Sequence, residues 1–371
     1  MIHAAADQNL YKIKELIPPN VRLKLYDPSK GIPDLTGLDA LLIRTVTLLN
    51  AETLPLIPSS LKFIGTGSSG TDHLDNEYLE SKGIKLASAN GCNARSVAEY
   101  VMTALLLWRE KFQPAQEFGK VGVIGVGKAG SAVIDLLSDF DVEYVAYDPP
   151  REKRDPDFTS ATLEEVLSCA ILSFHVPLNR KGDHPTYHWL DDDKLEDRNY
   201  KLIINAARGG VVDEQALMKA YKLGTVENFV LDVWEGEPDF NTKVADRAFI
   251  ATPHIAGYSE QAKINATKMI CDDMADFFNL SRSTPEVKNL SKSEDLAHIQ
   301  YDLNKLVTRL HPIMGYDAAL RDLTDRPDKA VLFRNLRNEW PYRFEYSYLK
   351  IRKELLDEVP ELKKLGIKPT Q

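Results

Sequence analysis

The chain has 371 residues, 46 Lys plus Arg against 55 Asp plus Glu, and a formal net charge of −9. That length suits two or three domains with sizeable cores, and the acidic balance argues against generic nucleic-acid binding, which needs a basic face. Cys92, Cys169 and Cys271 are far apart and form no CxxC pair, which argues against a disulfide framework or structural zinc and fits reduced thiols. No stretch approaches the length of a membrane span; the densest apolar run, Val101 to Trp108, suits a buried helix. The start, Met1-Ile2-His3-Ala4-Ala5-Ala6-Asp7, has no basic region leading into an apolar one, so a cytoplasmic protein without membrane partners is expected.

In the first ninety or so residues, Ala40 to Ile43, Lys62 to Ile64 and Ile84 to Ala87 are short apolar runs bounded by Gly, Asp or Pro. Such runs read as buried parallel strands, and Leu10 to Ile17 and Asn76 to Lys82 have helical character. Ala94 to Arg109 reads as a long helix, with Ser96 and Glu99 spaced as a capping box. A second βα series follows. Its strands are Val121 to Ile124, Glu143 to Tyr147, Ala170 to Phe174, Lys201 to Asn205 and Phe229 to Asp232; helices such as Lys128 to Leu137 and Glu214 to Lys222 lie between them. Repeated βα units predict α/β domains built on doubly wound parallel sheets. A helix over Glu260 to Phe278 suits either domain, and Leu280 to Ser293 reads as a linker. The remaining residues carry Trp340, Tyr342, Phe344, Tyr346 and Tyr348 in alternation, a strand-like stripe in a small third domain.

Gly125-Val126-Gly127-Lys128-Ala129-Gly130 fits GxGxxG between a strand and a helix, the context in which that motif binds a dinucleotide. Gly125 allows the tight turn, Gly127 lets backbone approach the pyrophosphate, and Gly130 lets helix and strand pack. Asp148 ends the next strand, where a carboxylate bonds both ribose hydroxyls and repels a 2′-phosphate, so NAD is favoured over NADP.

Three further segments follow strands: Asn205-Ala206-Ala207-Arg208-Gly209-Gly210, Asp232-Val233-Trp234-Glu235-Gly236-Glu237-Pro238 and Thr252-Pro253-His254-Ile255-Ala256-Gly257-Tyr258. Ligands bind beyond the carboxyl ends of strands in such sheets. An arginine, a carboxylate and an imidazole beside a nicotinamide suit oxidation of a secondary alcohol. The imidazole takes the hydroxyl proton, the carboxylate steadies the imidazolium, and the guanidinium grips a substrate carboxylate through two bonds. Glu235 competes with Glu237 for the carboxylate role. His175, after a strand, either lines the nicotinamide side or packs structurally; His73 reads as a turn anchor. His184 and His188 show no ligand spacing, and no metal is expected.

These segments, the glycine fingerprint included, resemble the D-isomer-specific 2-hydroxyacid dehydrogenases over roughly residues 1–280. The resemblance implies a flavodoxin-like substrate domain (1–95 with 255–280), a Rossmann NAD domain (96–254) and a C-terminal α+β dimerisation domain (286–371). It makes Arg208 the substrate-binding arginine, Glu237 the carboxylate of a His–Glu pair and His254 the acid–base. Ile43-Arg44-Thr45-Val46-Thr47, Gly65 to His73, Gly91-Cys92-Asn93-Ala94 and His254 to Tyr258 narrow it to members that oxidise a phosphorylated 2-hydroxy acid as homodimers. It then implies substrate contacts at Thr45, Thr66 and Tyr258, and NAD contacts at Asp148, Val176, Ala206, Ala207, Arg208, Asp232 and Gly257. Thr45 stands where that pattern has serine and Val176 where it has threonine, so a side-chain bond at Val176 is lost. Arg44 is the candidate for the phosphate, and Arg334, Arg337 or Arg343 for reaching across a dimer. Other 2-hydroxy acids, such as 3-phosphoglycerate or glycerate, and a non-catalytic NAD-sensing role are the alternatives.

Overall fold

The computed structural model describes residues 1–114, 118–283, 291–296, 302–339 and 341–370. They fall into two compact units, Met1–Asn93 with Glu260–Leu290 and Ala94–Ser259 with Ser291–Gln371.

The first unit is a wholly parallel five-stranded sheet: β1 Ile2–Asp7, β2 Val21–Tyr26, β3 Ala40–Ile43, β4 Phe63–Thr66 and β5 Lys85–Ser88, in the order β2-β1-β3-β4-β5. The apolar runs predict the last three. The first two are additions. Three buried alanines form the centre of β1, and alanine is a weak strand former. In β2, Arg22 and Lys24 are exposed between half-buried Val21, Leu23 and Leu25, the alternation of an edge strand with one face covered. The helix Glu260–Phe277 lays Ile264, Ile270 and Met274 into the same core as Leu42 and Phe63. Its side of the fold is thus fixed by apolar burial.

The order reverses at β1, which has β2 on one side and β3 on the other; the crevice outside such a switch point is where open α/β sheets take ligands. Asp7 ends β1 there, wholly buried, and Arg44 follows β3 and donates Nε to its Oδ2 at 2.8 Å. Asn9 donates its backbone and side-chain N–H to the other oxygen.

The second unit holds β6 Val121–Ile124, β7 Tyr144–Tyr147, β8 Ile171–Phe174, β9 Leu202–Asn205, β10 Phe229–Leu231 and β11 Ile250–Ala251, all parallel, in the order β11-β10-β9-β8-β6-β7. Every residue of β6, β8, β9 and β10 is buried, as expected of strands covered on both faces. The switch point lies between β6 and β8.

Residues of the C-terminal stretch belong to this unit. Helices Leu303–Leu310, Ile313–Arg321 and Lys329–Glu339 lie in the chain between β12 Lys292–Ser293 and β13 Leu349–Ile351, which with β14 Lys368–Pro369 form a small parallel sheet, β13 central. Leu306, Ile313 and Tyr346 share a core with Tyr100 and Trp108; Leu320 and Phe333 share another with Trp234 and Phe240. The aromatic stripe is not a strand. Trp340 lies outside the described residues, Tyr342 and Phe344 sit in irregular backbone, and Tyr346–Tyr348 is a 3₁₀ turn. The Tyr346 N–H donates to Glu99 rather than to a neighbouring strand.

Nor do Ser96 and Glu99 form a capping box. Both lie inside the helix Ala94–Phe112 and are wholly buried. Ser96 Oγ donates to the Ala256 carbonyl at 2.9 Å. Glu99 accepts from Arg95 Nε at 3.0 Å, Arg343 Nη1 at 2.7 Å and the Tyr346 N–H at 3.0 Å. A buried carboxylate is tolerated only when so paired. Among the described residues, no helix is long and apolar enough to cross a membrane. Cys169 and Cys271 are buried free thiols, and burial pushes the first up to about 11 and the second to about 12.

Replacing Arg343 by Ala strands a buried carboxylate with only part of its partners. Unfolding free energy should fall by about 3 kcal/mol, the size expected for breaking one side of a buried ion pair, as measured by urea unfolding against the parent chain.

Candidate active site

The helix Lys128–Asp139 begins at Gly127, which provides no side-chain cap, and its first turn contains no acid. Its first N–H groups therefore lack the usual partners, and a β-carbon on Gly127 would meet nothing within 4 Å. An uncapped helix N-terminus beside open space fits a pyrophosphate. The flanking glycines are fixed by contact. Gly125 has φ +89°, and a β-carbon on it would stand 2.6 Å from Val176 Cγ1 and 2.9 Å from the His175 carbonyl oxygen. One on Gly130 would run into the Gly125 carbonyl. Asp148 accepts the Val126 N–H at 2.8 Å on Oδ2 and the Arg151 N–H at 2.9 Å on Oδ1, so its carboxylate is oriented with lone pairs left for ribose hydroxyls. The residues fit NAD. His175 is a packed ring: Nε2 lies 2.8 Å from Ser173 Oγ, and burial pushes its pKa down to about 3.

The second half of the site grows from β9 and β10. Asn205, ending β9, accepts the Ala207 N–H and donates to the Arg208 carbonyl. That closes a turn with Ala207 buried and Arg208 half-buried, its Nη1 2.8 Å from the Ala207 carbonyl. A β-carbon on Gly209 would collide with the Trp234 carbonyl. The Arg208 turn and the turn carrying Glu237 are thus in backbone contact, and glycine is required between them.

Glu237 Oε1 lies 2.6 Å from His254 Nδ1, both side chains about a quarter exposed, at 26% and 28%. The Glu237–Pro238 peptide is cis. Burial pushes the Glu237 carboxyl up, but the charge and hydrogen bond of His254, the charge of Arg337 and the Trp234 N–H outweigh it and hold it below the ordinary carboxylate value. Of the two candidate acids, Glu237 is the one bonded to His254. Glu235 instead meets His188 Nε2 at 2.8 Å, while His188 Nδ1 faces Asp213 at 3.2 Å. Beneath them buried Glu214 accepts the Glu235 N–H at 2.8 Å and is pushed up to about 7, chiefly by burial. The sequence gives His188 no ligand spacing because its partners lie 25 and 47 residues on, at Asp213 and Glu235.

His254 has φ +57°. Buried Asp232 holds the segment around it: Oδ1 accepts Thr252 Oγ1 at 2.6 Å and the Ile255 N–H at 2.7 Å, Oδ2 accepts the Ala256 N–H at 2.9 Å, and the Asp232 carbonyl accepts the His254 N–H at 2.7 Å. Gly257 and Tyr258 follow half-buried, and Ser259 Oγ donates to Glu345 at 2.8 Å. The guanidinium carbon of Arg337 lies 5.5 Å from the centre of the Tyr258 ring. Arg343, a candidate for reaching another chain, is buried in its own against Glu99 and Ser96.

Arg44, Thr45 and Thr66 belong to the first unit. Thr45 is exposed, whereas Thr66 is wholly buried, its hydroxyl 2.9 Å from His73 Nε2. Burial pushes the His73 ring down to about 4, so it is neutral near pH 7. The half-buried hydroxyls at this strand end are those of Ser68 and Ser69.

The profile of the D-isomer specific 2-hydroxyacid dehydrogenase NAD binding domain matches residues 98–256. The erythronate-4-phosphate dehydrogenase of Bacteroides thetaiotaomicron is 36% identical over 343 residues, 91% of this chain and 96% of that protein. That of Tolumonas auensis is 36% identical over 340 residues, covering 90% and 89%. Among solved structures, a putative D-isomer specific 2-hydroxyacid dehydrogenase from Polaromonas sp. JS6 66 superposes with a TM-score of 0.60 at 18% identity, covering 77% of this chain and 99% of that one. The D-lactate dehydrogenase of Aquifex aeolicus, solved with NAD and lactic acid, gives 0.57 at 24% identity over 75% and 95%. These two show that the fold is shared. The chain belongs to the erythronate-4-phosphate dehydrogenase family.

Asp232→Asn offers one carbonyl oxygen where two carboxylate oxygens now accept, so one donor at the His254 segment goes unpaired. That costs about 1–3 kcal/mol, and chemical unfolding should show a loss of that size.

Proposed function

We propose that the chain oxidises 4-phospho-D-erythronate at C2 with NAD, giving (R)-3-hydroxy-2-oxo-4-phosphobutanoate, in the synthesis of pyridoxal 5′-phosphate (vitamin B6). The observation that carries this reading is the 2.6 Å bond between His254 Nδ1 and Glu237, next to the Arg208 turn in an NAD-binding fold. The names of relatives at 36% identity supply the substrate.

NAD, when bound, supplies the two-electron acceptor for the hydrogen leaving C2. The first-turn N–H groups after Gly127 and the Asp148 carboxylate would hold it, and the resemblance adds Val176, Ala206, Ala207, Arg208, Gly257 and Asp232, the last of these by ordering the segment that lies against it, since its own carboxylate is taken up by Thr252, Ile255 and Ala256. The protein handles the proton. With Nδ1–H donating to an ionised Glu237, the lone pair of His254 sits on Nε2, which takes the C2 hydroxyl proton as the carbonyl forms. Glu237 stays ionised through the step, because its carboxyl is held low, and so neutralises the imidazolium. Arg208 grips the C1 carboxylate through a two-bond fork.

The resemblance adds substrate contacts at Thr45, Thr66 and Tyr258 and a phosphate contact at Arg44. Asp7 occupies Arg44 Nε and leaves the two terminal nitrogens of the fork. By the same resemblance residues 286–371 join two copies into a homodimer that works in the cytoplasm.

Purified protein given NAD should form NADH faster from 4-phospho-D-erythronate than from 3-phosphoglycerate, by about tenfold or more in kcat/KM, because the acid one carbon shorter keeps both anionic groups but cannot bring them to their two partners together with C2 in place. A preference for 3-phosphoglycerate would reassign the substrate. His254→Ala should lower kcat by roughly a hundred- to ten-thousand-fold, the range for a positioned proton acceptor; turnover at the parent rate would remove His254 from the mechanism.

A further inference from the structure

The substrate proposed above is anionic at both ends, with a carboxylate on C1 and a phosphate on C4. Arg208 answers the first. A phosphate calls for cations of its own with N–H groups to spare.

The C-terminal arginines differ in what they touch. Arg343 donates to Glu99, to Ser96 and to the Phe344 carbonyl. Arg321 donates to Asp317 and to the Ala245 and Ala248 carbonyls. Arg321 is saturated by the chain; Arg343 also has a buried Nε without a partner, but both its terminal nitrogens are engaged, one of them in an ion pair with Glu99. Arg337 is half-buried, its Nε is buried without a hydrogen-bond partner, and no ion pair to its guanidinium is present among the described residues. Its place is fixed all the same. It lies one helical turn beyond Phe333, which is wholly buried against Phe240 with ring centres 5.7 Å apart. Residues four apart share a helix face, so the packing that seats Phe333 carries Arg337 with it. The guanidinium then stands 5.5 Å from the Tyr258 ring, and its charge reaches the Glu237 carboxyl. The ring braces it as a cation over a π face, and Tyr342 meets that ring edge-on at 6.2 Å between centres. A guanidinium left unpaired beside the proton-transfer pair, with its stem locked, is an anion site awaiting its anion.

We propose that Arg337 binds the phosphate of the substrate and sets specificity for phosphorylated acids, so that the helix Lys329–Glu339 supplies a binding residue to the active site of its own chain. This rests on the reading that the substrate is a phosphorylated 2-hydroxy acid.

The test compares full-length parent, Arg337→Gln and Arg337→Lys, loaded with NAD, on 4-phospho-D-erythronate and D-erythronate. In Arg337→Gln the KM for the phosphorylated acid should rise about thirtyfold or more with kcat within about threefold, and the kcat/KM ratio of phosphorylated to unphosphorylated acid should fall by the same factor. Arg337→Lys keeps the charge without the fork and should recover part of that ratio. It also carries the test if the Gln variant fails to fold. Equal losses on both acids would make Arg337 a support for Glu237 and overturn the proposal, as would an unchanged KM. Calorimetry with inorganic phosphate on the NAD-loaded chain needs no turnover: Arg337→Gln should weaken binding about tenfold or more, and undiminished binding also overturns it. A parent chain that prefers 3-phosphoglycerate would displace only the choice of acid, since that substrate carries the same group.

Discussion

A side chain at positive φ crowds its own carbonyl, which costs about 1–2 kcal/mol for any residue with a β-carbon. His254 accepts that conformation, at φ +57°, and Asp232 is the constraint that makes it hold. One buried carboxylate takes the Thr252 hydroxyl, the Ile255 N–H and the Ala256 N–H, so the chain is pinned on both sides of the imidazole. In exchange the ring leaves the strand axis and meets Glu237, whose turn begins at the same Asp232. The acid that anchors the backbone and the acid that bonds the ring thus lie five residues apart with different tasks: Asp232 is 1% exposed and faces inward, while Glu237 is partly open.

The nucleotide half relies on contact between backbones. Gly125 lies against residues 175 and 176 after β8, and Gly130 lies on Gly125; the cofactor's cradle is set by the touching ends of β6 and β8 at the switch point. Gly209 repeats the device at β9 and β10, where the Arg208 turn rests on Trp234. Main chain on main chain leaves little room for side-chain rearrangement, so Arg208, Glu237 and His254 are positioned by the sheet itself. Rigid placement of this kind shortens the search for a reactive geometry.

This is also why the motifs were legible in the sequence. Glycines forced by close approach leave a local mark, and unbroken apolar runs such as Leu202 to Ile204 mark strands buried on both faces. The rest had no local mark. Alanine gave β1 no strand signal, although it lies at the switch point of the first sheet. Ser96 and Glu99 have the spacing of a cap, but their partners stand 160 and 244 residues away at Ala256 and Arg343, and burial against those partners overrides the local preference. The alternating aromatics after Trp340 imitate a strand, yet Tyr346 is pulled under by the same Glu99. Glu235 and Glu237 differ only by two positions in a turn, and whether an acid meets His188 or His254 depends on how that turn folds.

The C-terminal stretch is therefore part of the second unit's working structure. Phe333 and Leu320 pack with Trp234 and Phe240, which back the turn of Glu237. Glu345 receives the Ser259 hydroxyl at the far end of the His254 segment. Glu345 is buried, and burial first and the charge of Glu99 second push it up to about 7. Near neutral pH the two buried acids need not both be charged, so Arg343 can neutralise Glu99 while Glu345 serves as a polar anchor. Both ends of the segment that presents His254 are then held from within: Asp232 fixes the start, and the C-terminal stretch fixes the finish through Ser259 and through the Arg343 contacts to Ser96, whose hydroxyl in turn holds the Ala256 carbonyl.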